Sequence, residues 1–146
     1  MPPAARAVHA PTISARAPAY RPFSARARAA RAAFGRRSRP ASAESCRLAV
    51  RLESGRFEVP AAAIVAPGRG PAGAARARQA AIYLAHVALG VPLTAIAAEF
   101  KRDRTTAAHA CRQVEDRRDD PAFDVALADL ELAAQIAVIR DQADPA

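Results

Sequence analysis

The sequence predicts an all-α protein, a small domain of about five to six helices that follows a basic arm. Alanine, the strongest helix former, dominates the apolar residues. Apolar side chains recur at helical spacing through most of the chain after residue 43. The one alternation of apolar and charged residues, at Leu48, Val50 and Leu52, is too short for a sheet. A chain of 146 residues has room for one modest domain with tails.

The first 43 residues combine proline, arginine and serine without an acid and with little periodicity, which predicts a disordered arm. Four interpretations of residues 1–43 stay open: an organellar transit peptide, a flexible arm that adds nonspecific DNA affinity, an inert tail, or a start codon assigned too early. The folded domain is expected to span residues 44–140, and residues 141–146 are expected to form a tail.

Helical spacing and turn-forming residues predict the elements of this domain in order. They are residues 44–54, ending at Gly55; a short helix opened by Pro60; residues 74–89, ending at Gly90; residues 92–100; residues 104–118, capped by Asp103; and a last helix from about Ala122 to Arg140. Residues 68–73 (GRGPAG) are expected to form a loop. The last helix carries its inward apolar residues at Phe123, Leu127, Leu130, Ala134 and Val138.

Charge is distributed unevenly along the chain. Residues 1–45 hold nine arginines and one acid, and residues 46–118 hold twelve lysines and arginines against six acids. Residues 119–146 hold one arginine against seven acids. Basic segments of this kind usually bind nucleic acid or another anionic surface, so nucleic acid is the expected partner.

Several other classes of protein are excluded by missing motifs. The loop at 68–73 resembles a dinucleotide-binding glycine loop, but no acid follows between Gly73 and Glu99 to hold a ribose. The sequence contains no phosphate-binding GxxxxGK[ST], no HExxH and no nucleophile elbow. Cys46 and Cys111 form no CxxC and are expected to be buried free thiols in a reducing cytosol. No apolar run reaches the ~18–20 residues of a membrane span. We therefore expect no enzymatic activity, cofactor, metal or membrane partner.

The run KRDRTTAAHACR at 101–112 is the most informative stretch. A helix at 92–100, a polar turn at Lys101–Asp103 and a helix from Arg104 have the proportions of a helix-turn-helix. A helix N-terminus offers free backbone N–H groups to phosphate. Hydroxyls of two adjacent threonines suit phosphate, an arginine suits a guanine edge, and His109 lies one turn further on the same face. The alternative is a merely solvated amphipathic helix.

Residues 76–115 resemble the C-terminal DNA-binding domain of the bacterial replication initiator DnaA, with a weaker similarity back to about Glu44. The matching residues are Arg78-Gln79, Tyr83-Leu84-Ala85, Leu93, Ile96, Phe100, Arg102-Asp103, Thr105-Thr106 and His109-Ala110-Cys111-Arg112. The resemblance implies a helix-turn-helix that binds a short duplex site. It implies that Asp103, Arg104 and Thr105 read bases in the major groove. It further implies that Arg78, Arg102, Thr106 and His109 hold phosphates, that Arg69 enters the minor groove, and that Leu93 and Thr94 complete the contact set.

Three positions depart from the family's signature. Arg104 replaces its histidine, Lys101 replaces a Gly-Gly turn with one residue lost, and Ala107 replaces a valine. The first change can alter base preference, because arginine favours guanine. The second can shift the second helix relative to the first. The initiator's own binding sequence is therefore not assumed for this chain.

The resulting expectation is sequence-specific binding of double-stranded DNA by a regulator of transcription or replication, located in the cytoplasm on the nucleoid. The ATPase module of an initiator is not expected in this chain. The alternative function is a protein-interaction module with a relic helix-turn-helix, in which the acidic last helix binds a protein partner. The sequence determines neither the DNA target nor the oligomeric state.

Overall fold

The computed structural model describes residues 41–144, so most of the predicted N-terminal arm, residues 1–40, lies outside the described residues, as do residues 145–146. The described part is helical and contains no strand. Its elements are α1 (Ser42–Phe57), α2 (Ala61–Val65), α3 (Ala72–Tyr83) continued by a π-helical segment (Leu84–Ala88), α4 (Leu93–Phe100), α5 (Arg104–Arg117) and α6 (Pro121–Ala143). The predicted all-α class with about six helices is confirmed.

The first helix is longer than the sequence predicts. It begins at Ser42 and continues through Gly55 to Phe57, because Glu58 takes the left-handed conformation (φ 53°) that ends it. The expected stop at Gly55 was therefore wrong. Pro60 precedes the short α2 as predicted. The loop spans residues 66–71 rather than the predicted 68–73, because α3 already begins at Ala72.

The third helix ends in a π-helical turn. The amide of Leu89 donates to the carbonyl of Leu84 at 3.2 Å, and that of Val91 donates to Ala85 at 3.0 Å. Gly90, at φ 69°, then reverses the chain, which confirms it as the stop. Every residue from Ala80 to Val91 is buried, so this element forms the centre of the domain.

The other helices pack around that central element. α1, α4 and α5 contact α3, the π-helical segment or both, while α6 packs on the π-helical segment and α1. The largest fully buried side chains include Ile64, Ile82, Tyr83, Leu84, Leu89, Ile96, Val114 and Leu127. Leu127, Ala134 and Val138 of α6 face this core, as the spacing predicts, and Phe123 and Leu130 are half-buried against it.

A polar network fixes α3, α5 and α6 to one another. The side chain of Arg118, which is 8% exposed, donates from Nε to Asp124 and from Nη1 to Glu131, each at 2.6 Å. The same Nη1 donates to the Tyr83 hydroxyl at 3.0 Å, and that hydroxyl donates to Glu115 at 2.5 Å. Two acids of α6, Asp124 and Glu131, are therefore neutralised by an ion pair within the domain.

A second polar cluster, around the buried Glu53, lacks hydrogen bonds. Glu53 is fully buried, and neither of its carboxylate oxygens has a hydrogen-bond partner. The nearest guanidinium atom of Arg56 lies 3.6 Å away. Burial raises the pKa of Glu53 from 4.5 to about 7, although the charges of Arg56 and Arg117 act to lower it.

Cys46 and Cys111 are buried free thiols, as expected. Burial raises the pKa of Cys46 to about 11 and that of Cys111 to about 12, so both thiols stay protonated at neutral pH. Between residues 41 and 144, no helix has both the length and the apolar character that a membrane crossing requires.

Candidate nucleic-acid interface

The helix-turn-helix consists of α4, the turn at 101–103 and α5. Lys101 ends α4 in the left-handed conformation, at φ 51° and ψ 49°. Its amide donates to the carbonyl of Ala98 at 3.3 Å, and the amide of Arg102 donates to Ala97 at 2.9 Å. The shortened turn thus closes with regular helix-end hydrogen bonds, even though a lysine stands where a glycine is favoured.

The start of α5 is open to solvent. Asp103 occupies the N-cap position as predicted, but its side chain accepts no capping hydrogen bond. The carboxylate and the first amides of the helix therefore remain available to a ligand. Asp103, Arg104, Thr105, Thr106 and His109 are all exposed.

The opposite face of α5 explains this orientation. Ala107, Ala110, Cys111 and Val114 are buried, and they repeat at the spacing that faces α3 and α4. With that face fixed in the core, the predicted contact residues must point outward. None of the described residues covers them, and α6 packs on the π-helical segment and α1 instead.

Two residues at the start of α4 were also predicted to contact DNA. Thr94 is exposed in the first turn, whereas Leu93 is half-buried and packs against the core. Thr94 is thus accessible to a ligand, and Leu93 presents only part of its side chain.

The loop at 66–71 forms the other side of the surface. Gly68 and Gly70 both have positive φ, at 82° and 67°, which allows the tight path that the loop follows. Arg69 lies between them and is exposed. The predicted minor-groove residue therefore stands at the tip of a tightly turned loop.

Two arginines hold this loop from beneath. Arg78 donates to the carbonyls of Ile64 at 2.7 Å, Ala63 at 3.3 Å and Arg69 at 3.2 Å. Arg102 donates from Nη2 to the carbonyls of Gly68 and Ala66, at 2.7 and 3.0 Å. The loop is thereby anchored both to α3 and to the turn of the helix-turn-helix.

This arrangement corrects the expected role of Arg78. Its side chain is only 7% exposed, and its guanidinium points inward to backbone carbonyls rather than outward to a phosphate. Burial lowers the pKa of Arg78, and the neighbouring charge of Arg102 lowers it further. The structure gives Arg78 a positioning contact in place of the expected phosphate contact. Arg102 is half-exposed, so it can anchor the loop and still face a ligand.

An open groove runs between the loop, α3 and the helix-turn-helix. Its lining brings Arg69, Arg102, Asp103, Thr106 and His109 together in one surface. Lys101, Gln79 and Gln113 line it too, and the Gln79 amide donates to Gln113 at 2.5 Å. The sequence prediction omitted these three residues. The basic character of Lys101 was visible in the sequence, whereas the two glutamines carry no charge or motif that marks them.

Two further exposed arginines border this surface. Arg112 lies two turns after Thr105 on the outward face of α5, and Arg76 lies beside Arg69 at the adjoining end of the groove. Both are absent from the predicted contact set. In the sequence, Arg112 follows Thr105 at helical spacing and Arg76 lies close to Arg78. These spacings indicate a shared surface only once the orientation of the helices is known.

A positively charged loop beside an outward helix N-terminus in a helix-turn-helix is an arrangement typical of DNA-binding domains. Comparison with protein families adds that residues 54–114 match the family described as bacterial dnaA protein helix-turn-helix. The match covers 61 of the chain's 146 residues, so this segment is similar to the DnaA helix-turn-helix, a DNA-binding module. The match begins at Ser54, later than the weak similarity near Glu44 suggested. No curated protein and no solved structure matches the chain.

Proposed function

We propose that this protein binds a short double-stranded DNA site in a sequence-specific way. The start of α5 enters the major groove, and the loop at 66–71 follows the adjacent minor groove. The observation that carries the proposal is the outward, unobstructed presentation of Asp103 to Thr106 where α5 begins. Free backbone N–H groups at that position add affinity for phosphate.

The proposed contacts divide into base-reading and phosphate-holding sets. Arg104 donates to guanine, Asp103 accepts from an exposed base amino group, and Thr105 contacts a neighbouring base. Thr94, Leu93, Thr106 and His109 approach the backbone beside them. Lys101, Arg102 and Arg112 add phosphate contacts, since all three are at least partly exposed on this side.

Arg69 is the proposed minor-groove residue. Its exposed position on a loop held by Arg78 and Arg102 supports this assignment. A loop fixed in place loses less conformational entropy on binding than a free one. Arg78 acts as a positioning residue here.

The biological role that fits this activity is regulation of transcription or replication at DnaA-type sites. A chain that occupies such a site competes with the initiator there, and its place of action is the nucleoid in the bacterial cytoplasm. The second candidate function is a protein-interaction module that uses α6. The exposed apolar residues of α6 favour it, among them Val125 at 62% and Leu132 at 57% exposure.

Selection from a pool of random duplexes tests the main proposal. We expect enrichment of one short motif, with affinity that falls as salt rises because Lys and Arg displace counterions. Arg47→Ala serves as a control, because Arg47 is an exposed arginine of α1 away from the groove. If the full-length protein shows no salt-sensitive binding at low ionic strength, the interaction module is favoured.

A further inference from the structure

The outward face of α6 carries a second apolar stripe, separate from the one in the core. Val125, Leu132, Ile136 and Ile139 are 40 to 62% exposed, while Leu127, Ala134 and Val138 face inward. Monomeric proteins rarely leave several large aliphatic side chains aligned in this way. The stripe therefore indicates a surface that another element covers.

The stripe has the spacing of a coiled-coil seam. Its members alternate three and four residues apart along the whole helix: Ala122, Val125, Asp129, Leu132, Ile136, Ile139 and Ala143. The positions that flank the seam are nearly free of charge, being Ala126, Ala133 and Arg140 on one side and Ala128, Gln135 and Gln142 on the other. An otherwise acidic helix thus offers a seam at which two copies do not repel each other.

We propose that α6 pairs with α6 of a second copy of this chain, in antiparallel orientation, to form a homodimer. One register places Leu132 against Ile136 of the second copy. The two-fold axis repeats this contact, so the dimer buries two such Leu–Ile pairs. Val125 then meets Ala143 of the second copy at each end.

Charge selects this orientation. Asp129 is the one acid in the seam, and Arg140 is the one base beside it. In the described structure neither side chain has an ion pair within its own chain. The antiparallel register sets Asp129 next to Arg140 of the second copy, whereas a parallel pair sets two copies of Asp129 against each other.

The basic segment 1–40 is a less suitable occupant of the same face. Its arginines need carboxylates, yet Asp124 and Glu131 are already bonded to Arg118, which leaves Asp129 as the one acid within the seam. The flanking alanines and glutamines offer arginine no counter-charge. Aliphatic pairing with an identical helix therefore matches the surface better.

The dimer goes beyond DNA binding and does not depend on it. Its consequence for the target rests on the proposed function: two helix-turn-helix domains related by a two-fold axis bind two half-sites with the same symmetry. Because the decisive measurement is made without DNA, failure of the dimer and failure of DNA binding are distinguishable.

The test is the molar mass of the full-length protein by sedimentation equilibrium over a wide range of concentration. We expect the mass to approach twice the chain's 15.3 kDa. Leu132→Asp should return it to the monomer, with circular dichroism to show that the fold persists. Val65→Asp, at an exposed aliphatic residue of α2, is the matched control and should leave the dimer intact.

A charge exchange tests the orientation. Asp129→Arg and Arg140→Asp should each weaken the dimer, and the double variant should restore it. A wild-type protein that stays monomeric overturns the proposal, whether segment 1–40 or another protein covers the stripe. So does a dimer that Leu132→Asp leaves intact, or a double variant no better than the single ones.

Discussion

Arg102 Nη2 lies 2.7 Å from the carbonyl oxygen of Gly68 and donates a hydrogen bond to it. This contact joins the turn of the helix-turn-helix to the loop that carries Arg69. The two parts of the proposed DNA-binding surface are therefore connected by one side chain, and a change at Arg102 should affect both.

Replacing Arg102 with methionine should loosen the loop. The carbonyls of Ala66 and Gly68 lose their donor, so amide hydrogen exchange over residues 66–71 should rise, and DNA affinity should fall by about 1–3 kcal/mol. Arg102→Lys distinguishes the two roles of this residue, because lysine keeps the charge without the fork geometry. Affinity close to wild type in the lysine variant identifies Arg102 as a simple phosphate contact rather than a loop anchor.

We expect Lys101 to strengthen DNA binding at a cost to the stability of the fold. Its left-handed backbone is unfavourable for a residue with a Cβ, so Lys101→Gly should raise the free energy of unfolding by about 1 kcal/mol. The same variant should bind DNA more weakly. The slope of log binding constant against log salt concentration should become shallower by about one, since about one counterion fewer is released. Chemical denaturation and binding titrations at several salt concentrations measure the two effects. An unchanged salt slope removes Lys101 from the interface.

Arg104 should determine base preference. Arg104→Ala should cost about 1–3 kcal/mol at the selected site and relax the preference at one base pair, since a bidentate contact to guanine is lost. Thr105→Ala should act at a neighbouring position. Competition binding with single-base variants of the site measures both. If the Arg104 variant keeps the wild-type preference, its base-reading role is refuted.

Glu53 should make stability depend on pH. Its pKa in the folded protein, about 7, lies above the 4.5 of the unfolded chain, so the folded state retains the proton more strongly. The stabilisation from the neutral carboxyl is complete below about pH 4.5 and is lost as pH rises through 7. Glu53→Gln keeps the buried group neutral, and it should raise the free energy of unfolding at pH 8 by roughly 1–3 kcal/mol.

Denaturation curves of both proteins at a series of pH values give this difference directly. Glu58→Gln is the control, because Glu58 is exposed at the end of the same helix. A constant difference between the Glu53 variant and wild type from pH 5 to 8 contradicts the role of Glu53.

The helices and the outward orientation of the candidate contact residues follow from the sequence because both depend on local spacing. Apolar residues of α4 and α5 face inward at helical intervals, so Thr105 and His109 had to face outward. The direction of Arg78 could not be predicted in this way. The sequence around an arginine is the same whether its side chain contacts phosphate or, as here, backbone carbonyls of the preceding α2 and loop. The π-helical turn also leaves no residue pattern of its own.

The outward stripe of α6 was missed for a different reason. Apolar residues occur on both sides of that helix, and a spacing argument selects the inward set without testing the other. Only the packing of Leu127 and Val138 identifies which set remains uncovered.

Because both thiols are buried, their chemical reactivity can be used to measure local unfolding of this chain. Cys46 sits in α1 and Cys111 in α5, and the sequence contains no other cysteine. We therefore expect an alkylating reagent to react fastest when one of these helices leaves the core, so the rate of modification measures how often each helix opens. Labelling the two positions separately shows whether α1, which lies mostly outside the matched family segment, detaches before the helix-turn-helix does.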